Sequence, residues 1–259
     1  MRISYDLKSY RRKAILLSFI AQLVVVLLVL DNWACASVDM TEWTLVDPYD
    51  KWQYTNPTPE SGRMDETTSS GSVGPGWIVS DFQLPDVPEV VSFSLTVEVT
   101  GGRDDDIIGF GFGYQDNTHF YLVDWKENRQ DYNWGDSVAV NDDTAEQGIK
   151  LKKIDGSWTR DGLWGGTDGL GVSTLAGPVD GDWANNTLYQ FEVALTPERI
   201  VIKLDGSELL NIEDSSFRGG SIFLYGFSQD NIVFSNVTPE PATFIFLCLG
   251  ALMLLRTKR

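Results

Sequence analysis

Period-two alternation is the feature that most restricts this chain. Val91, Phe93, Leu95, Val97 and Val99 alternate with Ser92, Ser94, Thr96, Glu98 and Thr100, which gives an extended strand one dry and one wet face. Phe110, Phe112 and Tyr114 alternate with Gly109, Gly111 and Gly113. A polar turn over 115–119 then leads into a second apolar strand over 120–125, and the two read as a hairpin. Tyr189, Phe191, Val193 and Leu195 repeat the alternation. Strands over 199–204 and 207–212 flank Asp205-Gly206, a two-residue hairpin signal. Residues 221–227 and 231–237 supply two more strands. Outside the two end segments no stretch carries a helical period. Residues 128–155 are polar and mixed, and 156–183 are too glycine-dense for a helix. Residues 40–76 hold a first strand within 40–46, then turn and loop chemistry around Pro48, Pro57, Pro59 and the Ser/Thr/Gly-rich stretch 67–76. Many short strands punctuated by turns predict an all-β fold, an antiparallel β-sandwich.

Both ends read as processing signals. Arg2, Lys8, Arg11, Arg12 and Lys13 precede an apolar run over 14–30 and the exit Ala34-Cys35-Ala36. This is a signal peptide cut after Ala36; the alternative, an uncleaved anchor, has a run marginally short for a span. The tail carries Pro239-Glu240-Pro241, a short apolar run to Leu255, and the basic end Arg256, Lys258, Arg259. The organisation is therefore a signal peptide at 1–36, a first strand and loop region at 37–76, a sandwich at 77–238, and a sorting tail with a short transmembrane segment at 239–259.

Setting the ends aside leaves 12 basic against 34 acidic residues, a net of about −22. Such a domain repels nucleic-acid phosphates and anionic membrane surfaces. It suits divalent cations, or high solubility outside the cell. Both cysteines, Cys35 and Cys248, lie in the end segments, so no disulfide staples the sandwich. Membrane contact is confined to the terminal segments.

Asp104, Asp105 and Asp106 stand in a row at the mouth of the Gly/aromatic strand. Three adjacent carboxylates are tolerable in a solvated turn or around a hard cation, and Ca²⁺ takes six to eight such oxygens. Side chains alternate along an extended backbone. Asp104 and Asp106 are then placed to share one ion, with Asp105 turned to a second ion or to solvent. Asp116 and Asn117 fall at the other end of the strand. Asn141, Asp142 and Asp143 form a second acidic group, read as a solvated turn. His119, the only histidine, reads as a turn residue, and one histidine cannot build a multi-histidine zinc site. Trp125, Trp134, Trp158, Trp164 and Trp183 are either sugar-stacking platforms or core and loop braces.

The tail resembles the PEP-CTERM sorting signal of bacterial proteins processed by exosortases. The resemblance implies a Gram-negative envelope, cell surface or extracellular matrix destination, with signal peptidase and exosortase as processing partners. The centre resembles the thrombospondin C-terminal domain, a jelly roll of L-type-lectin kind. The matching blocks are Asp104-Asp105-Asp106-Ile-Ile-Gly-Phe-Gly-Phe-Gly-Tyr-Gln, Phe120-Tyr-Leu-Val-Asp124-Trp125-Lys126, Leu163-Trp164, Gly181-Asp182-Trp183 and 219–232. This resemblance implies Ca²⁺ binding, with Asp104, Asp105 and Asp106 as metal ligands, and a role in matrix and surface contacts. The family's receptor-binding stretch falls at 119–126, where His119 and Asp124 stand in place of an Arg and an apolar residue, so receptor recognition does not carry over. The expected function is an exported, calcium-binding adhesion or matrix module that contacts polysaccharide or protein in biofilm. Two alternatives remain. One is a glycoside hydrolase or lyase on the lectin-like sandwich, though the usual Glu-x-Asp-x-x-Glu strand does not occur here. The other is a purely structural matrix protein.

Overall fold

The computed structural model describes residues 37–67, 73–86, 90–101, 104–136, 143–166, 169–179 and 181–240. The signal peptide and the tail beyond Glu240 lie outside these residues, as do Asn141 and Asp142.

Two seven-stranded antiparallel sheets form the sandwich. In the first sheet, β1 (Thr44–Val46), β4 (Pro75–Leu84), β15 (Gly220–Phe227), β6 (Ile107–Asp116), β7 (His119–Lys126), β10 (Gly148–Asp155) and β11 (Val172–Val179) lie side by side in that order. The second sheet runs β14 (Ser207–Glu213), β13 (Arg199–Leu204), β12 (Tyr189–Leu195), β5 (Val91–Val99), β16 (Ile232–Glu240), β3 (Ser61–Glu66) and β2 (Trp52–Thr55). A small pair, β8 (Gln130–Asp131) and β9 (Thr144–Ala145), stands apart. The strands consecutive in sequence, β5 and β6, occupy the central position of the two different sheets. Residues 100–106 carry the chain between them.

The alternating residues of β5 are buried as a set, from Val91 to Val99. They pack against Phe110, Phe112, Tyr121 and Val123 of the first sheet; the Phe93 ring meets Phe110 and Phe112 edge-on at 6.2 and 5.9 Å. Alternation in β6 holds only as far as Phe112. At Gly113, whose φ of +63° suits glycine, the register against β15 and β7 slips. Tyr114 therefore leaves the inner face and packs with Phe120 and Phe223 outside. The Asp205-Gly206 turn is present between β13 and β14, with both residues at positive φ.

The first sheet is covered on its outer face too. Trp77, Phe120, Leu122, Trp164, Phe223, Tyr225 and Phe227 form a second core there. Part of its cover is a helix, α1 (Arg160–Gly165), inside the stretch expected to be too glycine-rich for one. Thr159 caps its first turn by accepting from the Gly162 amide, and Gly166 ends it in the left-handed conformation. Two lysines of β10 reach its C-terminal carbonyls: Lys150 donates to Gly165 and Lys152 to Leu163. Cations are stabilised at that end of a helix. The same stretch contains β11. The segment read as loose, 40–76, likewise contains β2 and β3, which extend the second sheet past β16. Among the described residues no helix is long and apolar enough to cross a membrane.

Candidate functional site

Five connections change sheets at one end of the sandwich, and three of them converge. Residues 100–106 link β5 to β6, 228–231 link β15 to β16, and 67–74 link β3 to β4. They emerge from adjacent strands, because β16 lies between β5 and β3 while β15 lies between β6 and β4. Glu66 at the root of one, Asp230 in the second and the Asp triplet in the third are thereby brought together.

The triplet precedes β6 and is not itself in a strand, so its side chains do not alternate. One carboxylate oxygen from each of Asp104, Asp105 and Asp106 lies within 4.8 Å of the others. Asp105 therefore gathers with its neighbours; the expected division, with Asp105 turned away, is replaced by a single cluster. Asp104 is exposed, Asp105 intermediate and Asp106 buried. The Asp106 amide donates to Gln229 Oε1 at 3.1 Å, and the Glu66 amide donates to Asp230 Oδ1 at 3.0 Å. These two bonds tie the three connections to each other.

Among the described residues, Lys126, at the end of β7, is the one cation paired with the triplet. It is 1% exposed. Its ammonium donates to the Asp105 carbonyl and to Asp106 Oδ1 at 3.1 Å, and lies 5.1 Å from the Trp164 ring centroid. One ammonium does not balance the carboxylates gathered here. Burial raises Asp106 to about 7, with Lys126 opposing and Asp104 adding to the shift. Burial also raises Glu66 to about 8, reinforced by Asp104, Asp230 and Asp106. Asp104 is raised as well, first by burial. Glu66 Oε1 is shielded from solvent and has no hydrogen-bond partner among the described residues. A buried carboxylate oxygen without a donor is costly. Hard oxygens from separate connections, too many for one lysine, form a donor set suited to a Ca²⁺-type ion.

Sequence reasoning located the triplet and missed Glu66, Asp230 and Lys126. Glu66 closes a strand inside the segment read as loose, and only the sheet order places it beside Asp106. Lys126 carried a signal, an uncompensated positive charge ending an apolar strand.

The other expected candidates fall elsewhere. Asp116 and Asn117 sit at the far tip of the β6–β7 hairpin, about 30 Å away at ~3.4 Å per residue. Hydrogen bonds from Thr118, then His119, hold Asp116 down at about 2. His119 pairs with it at 2.9 Å. Trp125, Trp134, Trp164 and Trp183 are buried at 8% exposure or less, so none offers a face to a sugar; Trp158 packs edge-on against Trp77 at 5.8 Å. Asp124 is buried against Lys152 at 2.5 Å. The stretch from His119 to Lys126 is a strand covered on both faces rather than an accessible peptide.

Residues 65–241 match the family model described as the thrombospondin C-terminal region. Thrombospondin-3b of Danio rerio is 34% identical over 161 residues, which are 57% of this chain and 17% of that protein. Cartilage oligomeric matrix protein of Bos taurus is 33% identical over 161 residues, 57% of this chain and 21% of that one. The chain thus spans about a fifth of the length of these relatives. Among solved structures, the carbohydrate-binding module CBM66 from Bacillus subtilis superposes with a TM-score of 0.51 at 17% identity, covering 79% of this chain and 97% of that one. That likeness concerns the sandwich fold.

Proposed function

This chain belongs to the thrombospondin C-terminal region family, and from that premise we propose that it is an exported, calcium-binding adhesion or matrix module. Its contacts are with polysaccharide or with surface protein, at a bacterial cell surface or in biofilm. The terminal segments carry the bacterial part of this reading: a basic–apolar–Ala-x-Ala start and a Pro-Glu-Pro tail with a basic end. Signal peptidase and exosortase are the processing partners that such ends imply.

The observation that supports the metal is the gathering of Glu66, Asp104, Asp105, Asp106 and Asp230 where the chain changes sheets, with Glu66 Oε1 left unpartnered. Asp104, Asp105 and Asp106 would hold the ion, with Glu66 and Asp230 beside them. Bound calcium supplies charge neutralisation and cross-links the connections; its role is structural. An enzyme at this spot is disfavoured. Glycoside hydrolysis needs two carboxylates across a sugar, about 5–10 Å apart, whereas Asp104, Asp105 and Asp106 each bring an oxygen within 4.8 Å of the others and Asp106 is buried.

Thermal melting in calcium and in chelator tests the reading. A ligand selective for the folded state adds about 2.7 kcal/mol at a hundred times its Kd. We expect a raised midpoint in millimolar calcium, abolished by Asp104→Asn with Asp106→Asn. An unchanged midpoint for the native chain removes the metal from the proposal.

A further inference from the structure

At the opposite end of the first sheet lies a cleft of about 410 Å³, within the ~300–1,000 Å³ range of small-ligand sites. Its walls again come from connections that change sheets. Asp86 belongs to the link from β4 to β5, Ser216 and Arg218 to the link from β14 to β15, and Tyr114 and Gln115 to the end of β6. Gln83 closes it from β4. A side chain at Gly219 would meet Asp86 Cβ at 2.8 Å, so the glycine keeps that wall low.

The chemistry of the lining is mixed in a particular way. Arg218 is held by one bond, Nη2 to the Asp214 carbonyl at 3.3 Å. Its Nε is shielded from solvent and has no partner, and it joins no ion pair among the described residues. The side chains of Gln83, Asp86 and Gln115 likewise make no hydrogen bond among the described residues. The cleft thus presents a guanidinium donor, a carboxylate acceptor and two amides that both donate and accept. Adjacent hydroxyl groups answer such a set, because each both donates and accepts. A polyanion answers it poorly: Asp86 stands in the wall, and the domain carries about −22 overall.

We propose that this cleft binds a neutral, hydroxyl-rich saccharide, with Asp86 and Arg218 as its anchoring pair. The inference rests on the binding-module reading and names its ligand class and its place, at the end remote from the acidic cluster.

The test is titration of the full chain with maltotetraose, cellotetraose, mannotetraose and galactotetraose, with oligogalacturonate as the anionic comparison, followed by amide chemical shifts and calorimetry. The expected result is binding of at least one neutral tetrasaccharide, with shifts at Gln83, Tyr114, Gln115 and Gly219. Affinity should fall tenfold or more in Asp86→Ala and in Arg218→Gln. Asp86 is exposed, so its variant tests the cleft even if Arg218→Gln fails to fold. Shifts confined to Asp104–Asp106 would overturn the cleft while leaving the module reading intact. Binding of oligogalacturonate alone, or of no saccharide at all, also overturns it. The calcium part of the module reading fails separately, through an unchanged melting point in calcium.

Discussion

The two faces of the first sheet are buried by different means. Its inner face meets a second sheet, and the contact is made by residues such as Phe110, Val123 and Leu224 against Phe93, Leu95 and Phe191. Its outer face meets loops and one short helix. Loops cannot satisfy every backbone group themselves, so this side mixes tryptophans with ions: Lys152 is fully buried, pairs with Asp124 at 2.5 Å and also donates to the Leu163 carbonyl. Asp161, also fully buried, accepts from the amides of Trp134 and Asp136 at 2.6 and 3.0 Å. Sheet against sheet needs only shape and apolar area. Loop against sheet needs side chains that finish the loop's hydrogen bonds.

The sharpest way to break this contrast is Lys152→Met. It strands the Asp124 carboxylate in the core, and removing one partner of a buried pair costs about 3–5 kcal/mol. Adding Asp124→Leu should recover most of that loss, since replacing a whole buried pair by apolar groups is often neutral. Urea unfolding measures both; a loss below ~1 kcal/mol for Lys152→Met would show the outer face to be loosely held. Next come matched truncations. Phe110→Ala inside and Phe223→Ala outside should each cost about 3–5 kcal/mol. If only the first does, the outer layer is a cover and not a core.

Calcium extends the comparison to the end of the sheet. Glu66 ordinarily titrates at 4.5 and is raised to about 8 by burial and its carboxylate neighbours. Between those values the folded chain keeps a proton that the unfolded chain has released. Ion-free stability is therefore full below the lower value and declines as pH rises through the upper one. A bound cation needs the ionised form. The calcium-induced rise in melting temperature should accordingly be larger at pH 8 than at pH 5.5, by roughly twofold or more. Equal rises at both values would mean that Glu66 and Asp106 stay clear of the ion. The smallest expected effect is that of Thr159→Ala, which removes the cap of α1 and should cost about 1 kcal/mol.

The inner face was legible because its signal is local. Five alternating apolar residues in β5 declare a face without reference to anything distant, and Asp205-Gly206 declares a turn. The outer face hid its signal. Lys150 and Lys152 make β10 read as polar and mixed, and their burial follows from carbonyls on α1 and from Asp124 on β7. α1 itself was masked by Gly162 and Gly165, each costing about 1 kcal/mol in a helix, and it stands by virtue of its cap, its lysine contacts and the burial of Leu163 and Trp164. The candidate site divides the same way. Asp104, Asp105 and Asp106 stand out as a run, whereas Glu66 and Asp230 join them only through the order of strands in two sheets.

That order has a mechanical meaning. β5 and β6 are the middle members of their layers, and the link joining them is tied through Gln229 and Asp230 to two more links of the same kind. A divalent ion seated on this bundle of links would act as a rivet through the midline of both layers, in a domain whose described residues contain no cysteine to do that job. Chelation would then loosen one rim, letting the layers slide there while the opposite rim, with its own two links, stays shut.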